Sequence, residues 1–404
     1  MSQQPEALET TVIERNEQIA ELEEQARRIG RFAFDTEFVM EDRFAPELCL
    51  VQIATDETVA VIDPFKKLDL TPIFALVCDP NIETVVHAGQ EDLAICVHNC
   101  GEVPRNIYDA QIAAGLAGYD YPLSLQKLVR ITVHARLGKS KTLTDWRKRP
   151  LTPAQLRYAA EDVSYLLAAR DKLGERLRKR KRTEWVREEF RRFEDMTLYA
   201  RGEAEKLARL KGSGSLVGKQ LAVLRDVLAW REEAAQQVNR PIRALLKDHL
   251  IVEIARHELS AVKEIRGLRG VNLSDRHVRA LSEVVRLAAE SPCEAWPTPK
   301  PRETETPGET ALISLTTGVA RSLCVEHDLA YGLVATKRSI YELVRHCLND
   351  GTAAEEPAEL LRGWRGEAIG TVLREILTGK RAIRIDPNGG GLIRVARVST
   401  KSTR

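Results

Sequence analysis

Four carboxylates and a tyrosine stand out in this sequence by type and spacing: Asp35 and Glu37, then Asp92, then Asp162 with Tyr158 four residues before it. Asp35 and Glu37 lie two apart in a segment that reads as a strand, so both leave one face while Phe34, Thr36 and Phe38 leave the other. Asp92 follows a short apolar run and opens a helical one, where the positive end of the helix dipole favours an anion. Tyr158 and Asp162 share a face of a helical segment. Singly, each has a plain reading: a strand with one wet face, a capped helix, a solvent-facing polar pair. Together they allow different chemistry. Strand ends and helix starts of a mixed sheet converge at one edge, so the four carboxylates can meet there. Closely packed like charges repel and perturb one another's protonation, and such a cluster survives mainly where divalent cations bind it. Hard oxygen donors and an incomplete protein shell suit Mg²⁺ or Mn²⁺, which also engage a substrate phosphate. Two such ions about 4 Å apart stabilise the attacking and leaving oxygens of an in-line displacement.

The elements that must position these residues are legible around them. Asn16 to Ile29 reads as a helix with Ile19, Leu22, Ala26 and Ile29 on one face and Gly30 as its stop. Arg31–Val39, Leu48–Ala54 and Val59–Ile62 read as strands, the last ending at Asp63-Pro64. Thr84–His87 is a further short strand, leading through Gly89 into a helix from about Gln90 to Asn99. Strands mixed with helices predict an α/β sheet flanked by helices. Thr152-Pro153-Ala154-Gln155 has the composition of a capping box, and the helix it starts should run through Leu167 and beyond.

Downstream, the run Arg178-Lys179-Arg180-Lys181-Arg182 is either a solvated helix face or, beside a phosphodiester-cleaving site, a surface that attracts an RNA backbone. Gly212 to Ser215 predicts a flexible joint. Residues 216–290 read as all helix, 291–309 as a proline-rich extended linker, 310–385 as helix again, and the end, with Gly389 to Gly391, as a loose tail.

At 404 residues, two or three domains are expected. The net charge of +2 does not by itself announce nucleic acid, and 43% hydrophobic content suits ordinary cores. Seven cysteines in no metal-ligand pattern predict reduced thiols and an intracellular chain. Cys96 and Cys100 around His98 lack a second ligand pair for zinc. Glu6, Glu9, Glu14 and Glu17 replace any apolar leader core, and no apolar stretch approaches about 20 residues, so a cytoplasmic protein without a membrane span is expected.

Three stretches carry a specific resemblance. Asp35-Thr36-Glu37-Phe38, His87-Ala88-Gly89-Gln90-Glu91-Asp92-Leu93 and Tyr158-Ala159-Ala160-Glu161-Asp162-Val163 resemble the three exonuclease motifs of the ribonuclease D family, and Asp145-Trp146-Arg147-Lys148-Arg149-Pro150-Leu151 is similar to its stretch before the third motif. The match covers roughly residues 10–200 and, with Tyr at 158 and Arg at 157, resembles the tyrosine subgroup of this four-carboxylate superfamily. The resemblance implies a ribonuclease H-like fold and a metal-dependent 3′→5′ exoribonuclease that releases nucleoside 5′-monophosphates. It makes Asp35, Glu37, Asp92 and Asp162 ligands to two Mg²⁺ or Mn²⁺ ions, and gives Tyr158 the task of orienting the attacking water. Phe38, Gln52 and His87 match positions at or near the substrate end of such a site. Where the family usually carries basic and aromatic residues, this chain has Met40-Glu41-Asp42-Arg43-Phe44, and the carboxylates of Glu41 and Asp42 would repel a phosphate backbone.

Leu224, Trp230-Arg231-Glu232 and Leu246-Lys247-Asp248 resemble the helical module, HRDC, that the family shares with RecQ-type helicases. Leu333 to Arg338 and Gly363-Trp364-Arg365-Gly366-Glu367 are similar to a second such module. The expected organisation is therefore an exonuclease domain at 1–211, a helical module at 212–291, a linker at 292–309, a second helical module at 310–385 and a flexible tail at 386–404. The expected partner is RNA with a free 3′ end, above all tRNA precursors, with no obligate protein partner implied. The alternatives are a DNA-directed exonuclease, against which the chain carries no phosphate-binding loop of a helicase, and a non-catalytic RNA-binding protein.

Overall fold

The computed structural model describes residues 10–40, 43–138, 144–199, 202–298, 305–349, 357–386 and 393–397; Glu41, Asp42 and the Gly389 to Gly391 run lie outside them. A six-stranded mixed sheet has the order β1-β4-β3-β2-β5-β6, where β1 is Thr10–Ile13, β2 Arg31–Val39, β3 Glu47–Ala54, β4 Val59–Ile62, β5 Glu83–Val86 and β6 Ile107–Asp109. β2 runs antiparallel to β3 and parallel to β5, and its inner residues Phe32, Ala33 and Phe34 are fully buried. The edge strands β1 and β6, four and three residues long, are too short for a periodic pattern to announce them.

Helices α1 (Asn16–Ile29), α2 (Thr71–Cys78), α3 (Gln90–Cys100), α4 (Ala110–Leu116) and α5 (Leu125–Thr132) flank the sheet. The capping box at Thr152 forms, with Gln155 N–H donating to Thr152 Oγ1 and the Gln155 side chain accepting from Thr152 N–H. The helix it starts is interrupted, though: α6 (Pro153–Ser164) ends at Tyr165 and α7 (Leu166–Lys179) follows, then α8 (Thr183–Phe190).

Past residue 200 the hydrophobic cores group the chain differently from the expected order of domains. One core holds α9 (Glu203–Arg209), α10 (Lys219–Gln237), α11 (Ile242–Leu245), α12 (Asp248–His257), α13 (Val262–Gly267) and α14 (Asp275–Glu290). Leu207 and Leu210 already belong to it, so it begins ahead of residue 211. The Gly212 to Ser215 stretch is not a free joint: it closes a 3₁₀ turn in which Ser213 is buried and donates to the Leu210 carbonyl at 2.8 Å.

The later helices, α15 (Pro307–Glu326), α16 (Tyr331–Val334), α17 (Lys337–Leu348), α18 (Gly363–Arg365) and α19 (Thr371–Leu377), share a single core with the sheet. Part of the segment read as a tail, Ile393–Arg397, has regular structure. Arg381–Ile385 (β7) pairs antiparallel with Ile393–Arg397 (β8), so the second helical module carries a hairpin. Alternating Ile and Val among arginines permit this strand pairing.

The seam between the sheet unit and the second module is built from α8. Glu189, 5% exposed, accepts from Trp364 Nε1 at 2.8 Å and Arg365 Nη1 at 2.7 Å, and Trp185 stacks on Trp364 with ring centroids 5.8 Å apart. Glu188 accepts the Trp364 N–H at 3.0 Å, which brings it against Gly363; a Cβ there would lie 1.5 Å from Glu188 Oε1 and force that carboxylate off its bond, and the left-handed backbone (φ 46°) also favours glycine. Arg182, 7% exposed, donates to the carbonyls of Leu116, His327 and Asp328, and Arg180 pairs with Asp328. Two arginines of the basic run therefore fasten the second module, a use that neither sequence reading of the run anticipates.

Candidate active site

β2 delivers Asp35 and Glu37 to one end of the sheet, half-buried beneath α6, which brings Asp162 and Tyr158. Oxygens of Asp35, Glu37 and Asp162 all lie within 4.8 Å of one another. Asp92 arrives from the first turn of α3, after a turn that few residues could make. Ala88 is left-handed (φ 56°), and a Cβ on Gly89 would lie 2.5 Å from Val86 Cβ. The buried Asp109 fixes that turn by accepting from the N–H groups of Ala88 and Gly89 at 3.2 and 3.1 Å while capping α4. Asp92 Oδ1 in turn accepts from both the backbone N–H (3.0 Å) and the hydroxyl of Thr36.

These residues line a cleft of about 440 Å³ together with Phe38, His87, Ser124, Gln126, Gly138 and Glu161. Five carboxylates face it, and no Lys or Arg lines it among the described residues. The electrostatic result is unfavourable for ionisation. Burial, then Asp162 and Asp92, pushes Glu37 up to about 8. Burial raises Asp162 to about 7, against a hydrogen bond from Tyr158, and Asp92 to about 6, against its bonds from Thr36. Asp35 is raised well above the carboxylate range by burial and then by Asp92, Asp162 and Glu37. A set of half-buried oxygen donors that cannot all ionise alone fits hard divalent cations, which supply the missing positive charge.

Tyr158 is held from two sides. Its hydroxyl hydrogen-bonds Asp162, and its phenol is raised by burial and then by Asp162, Glu37 and Asp35. Its ring leans on Trp146, centroids 6.0 Å apart. The loop that carries Trp146 is anchored by Arg149, which pairs with Asp63 through Nε (2.6 Å) and Nη2 (2.7 Å), donates to the Cys49 carbonyl, and lies over Phe65.

Of the residues singled out near the substrate end, two line the cleft. Phe38 lines it, although simple alternation points it the other way, and the β2–β3 register shifts between Glu37 and Phe38. His87 lines it with Nε2 2.9 Å from the Leu123 carbonyl, and burial lowers its pKa against the pull of Asp109. Gln52 does not. It is fully buried in β3 opposite Asp35, with neither amide atom hydrogen-bonded, so direct contact with a substrate is closed to it. Sequence reasoning passed over Glu161, which accepts the Gly138 N–H at 2.7 Å, and Asp109. Glu161 has no spacing signal of its own beside Asp162, and the role of Asp109 depends on a turn 20 residues away.

A family model described as a 3′-5′ exonuclease matches residues 10–178, and one described as the HRDC domain matches residues 220–285. Ribonuclease D of Gluconacetobacter diazotrophicus is 32% identical over 379 residues, 93% of this chain and 94% of that protein. Ribonuclease D of Nitrobacter hamburgensis is 32% identical over 388 residues, 94% of this chain and 98% of that protein. Among solved structures, Escherichia coli RNase D, described as an exoribonuclease involved in structured RNA processing, aligns with a TM-score of 0.79 and 28% identity, covering 92% of this chain and 99% of that one.

Proposed function

Because this chain belongs to the ribonuclease D family and is a 3′→5′ exoribonuclease, we propose that the acidic cleft is its active site and that it trims the 3′ ends of tRNA precursors and other small RNAs, releasing nucleoside 5′-monophosphates. The observation that carries the assignment is the cleft itself: five carboxylates with no cationic side chain among its described lining. Asp35, Glu37, Asp92 and Asp162 would hold two divalent ions, Mg²⁺ or Mn²⁺. When bound, these supply positive charge to the scissile phosphate and lower the pKa of the attacking water.

The remaining steps belong to the chain's own side chains. The Tyr158 hydroxyl, already tied to Asp162, stands on the same helix face and orients the water for attack in line with the leaving 3′ oxygen. Trp146 and the Arg149–Asp63 anchor keep that ring from swinging. Phe38 and His87 sit at the wall of the cleft, where an aromatic face can receive the terminal base and the imidazole can hydrogen-bond ribose or phosphate.

Support for a structured RNA substrate comes from the middle module. It is tied to the segment after β2 by a hydrogen bond from Phe44 N–H to Asn239 Oδ1 at 3.3 Å. Its helices carry exposed cations, among them Arg243, 82% exposed. Cations on that module can hold phosphates of an RNA whose end enters the cleft. We take the module to span roughly 203–291, between two stretches of one exonuclease unit. No helix among the described residues is long and apolar enough to cross a membrane; we take the enzyme to be cytoplasmic, where its seven free cysteines would stay reduced.

The test is incubation with 3′-extended tRNA and a DNA of matched sequence, with Mn²⁺ or with chelator, resolving products by length. Metal-dependent, stepwise shortening of the tRNA is expected. Equal or faster degradation of the DNA would replace RNA as the substrate.

A further inference from the structure

A second cavity, larger than the catalytic cleft at about 540 Å³, lies between the sheet edge and α7–α8. Glu83, the first residue of β5, lines it, whereas His87, just past the last, lines the cleft. The two openings are thus at opposite ends of one short strand, about 13 Å apart along it.

Its floor is apolar and aromatic: Ile107, Tyr108, Leu177, Val186 and Phe190. Its rim is cationic beyond what its own carboxylates neutralise. Glu83 is taken by Arg170 (2.7 and 2.8 Å) and Glu194 by Arg105 (3.2 Å), and Arg187 pairs with Glu184. Arg178 and Arg191 are exposed and make no ion pair among the described residues. Thr183, at the uncapped N-terminus of α8, completes the rim. Tyr108, 7% exposed, lines the cavity, and its buried hydroxyl has no hydrogen-bond partner among the described residues, an unmade bond that costs free energy.

We propose that this cavity is a second nucleotide site, outside the catalytic cleft. The planar base lies on the apolar floor, and the phosphate is held by Arg178, near the end of α7, and by the first turn of α8, while Arg191, at the far end of α8, adds positive charge to the rim. The chemistry fits: an apolar surface receives a base face, and a guanidinium beside a helix start receives a phosphate. The volume is that of a small-ligand pocket. Choosing a nucleotide over another phosphorylated ring rests on the reading of this chain as a ribonuclease, whose products and substrate both supply nucleotide units.

The test is calorimetric titration of the full chain with AMP in chelator, independent of turnover. Saturable binding is expected, weakened about tenfold or more in Arg178→Ala/Arg191→Ala. It should be abolished in Gly174→Trp, which fills the cavity from a helix position whose Cβ would meet nothing closer than 3.6 Å. Glu37→Gln, in the acidic cleft, should bind AMP as the parent does. Thermal melting of each variant shows that it is folded. A short RNA that displaces AMP assigns the site to a strand of the substrate; one that does not assigns it to the free nucleotide. Binding lost in Glu37→Gln and kept in Gly174→Trp, or no binding up to millimolar AMP, overturns the proposal. Because RNA cleavage is not measured here, either failure leaves the assignment of the catalytic cleft untouched.

Discussion

Thr36 ties Asp92 to β2 by donating both its N–H and its hydroxyl to the same carboxylate oxygen. The bond joins the first and second acidic motifs, whose partners are 56 residues apart in sequence. It orients the carboxylate from the strand that carries Asp35 and Glu37, and it favours the ionised form that burial opposes.

Thr36→Val keeps the shape and the N–H but removes the hydroxyl donor. Losing a hydrogen-bond partner of a metal-binding carboxylate typically costs about 10–100-fold in metal affinity. Apparent Mn²⁺ affinity, measured by calorimetry on a catalytically silent chain, should fall within that range. An unchanged affinity would mean that the backbone N–H alone orients Asp92.

Asp35→Asn removes one anion from the centre of the cluster. Turnover should fall by roughly 10³-fold or more, since ligands that act as a unit fail together. Melting in chelator should not suffer, because a buried group that resists ionisation has been replaced by a neutral one. Single-turnover cleavage of a labelled RNA and a melting curve together check both halves of this expectation.

For Tyr158→Phe the two quantities should separate. Metal affinity should persist, while kcat falls by roughly 10²-fold, because only the hydroxyl is lost and Trp146 still supports the ring. If the variant instead loses metal binding and cleaves normally at saturating Mn²⁺, Tyr158 props Asp162 and does not orient water.

The acidic cluster also sets a pH dependence. Glu37, Asp162 and Asp92 have folded-state values of about 8, 7 and 6, all above their unfolded values near 4. Between those limits the metal-free folded chain holds more protons than the unfolded chain, so its stability falls as pH rises. In the proposed site, divalent cations would take the place of those protons. The melting temperature in chelator should therefore decline from about pH 5 to pH 8, while the increment given by Mn²⁺ grows. A Mn²⁺ increment independent of pH would show that the carboxylates are not the ligands.

The exonuclease unit was largely legible in the sequence. Asp35, Glu37, Asp92, Asp162 and Tyr158 sit on strands and helices long enough to carry a period, and the structure brings all five to one cleft. What was not legible depends on contacts between distant segments. Phe38 lines the cleft beside a register shift, and Gln52 is fully buried in β3, an interior strand. The basic run at 178–182 shows the same limit. Its charge was plain, but the use of Arg182 could be read only with the carbonyls of His327 and Asp328 beside it.

Glu189→Ala tests the seam that those contacts form. It strands the Trp364 indole N–H and the Arg365 guanidinium in a buried place, at a cost of about 3–5 kcal/mol. Chemical unfolding of the full chain should show a loss of that size. A chain ending near residue 211 should aggregate, since Trp185 and its apolar surroundings would lose their cover. A soluble truncated chain with full melting temperature would make the second module dispensable to the fold.

Sharing one core across the two ends of the chain also has a cost in time. Glu189 meets its partner Trp364 only after 175 further residues have been made. At about 5–20 residues per second, that is roughly 10–35 s. During this interval the nascent sheet leaves the ribosome with its α8 face open, while the middle module, with a core of its own, can already close. Synthesis from the first residue to the last therefore completes the inserted piece before the piece it interrupts, and the chain spends that interval exposed to chaperones and to its neighbours.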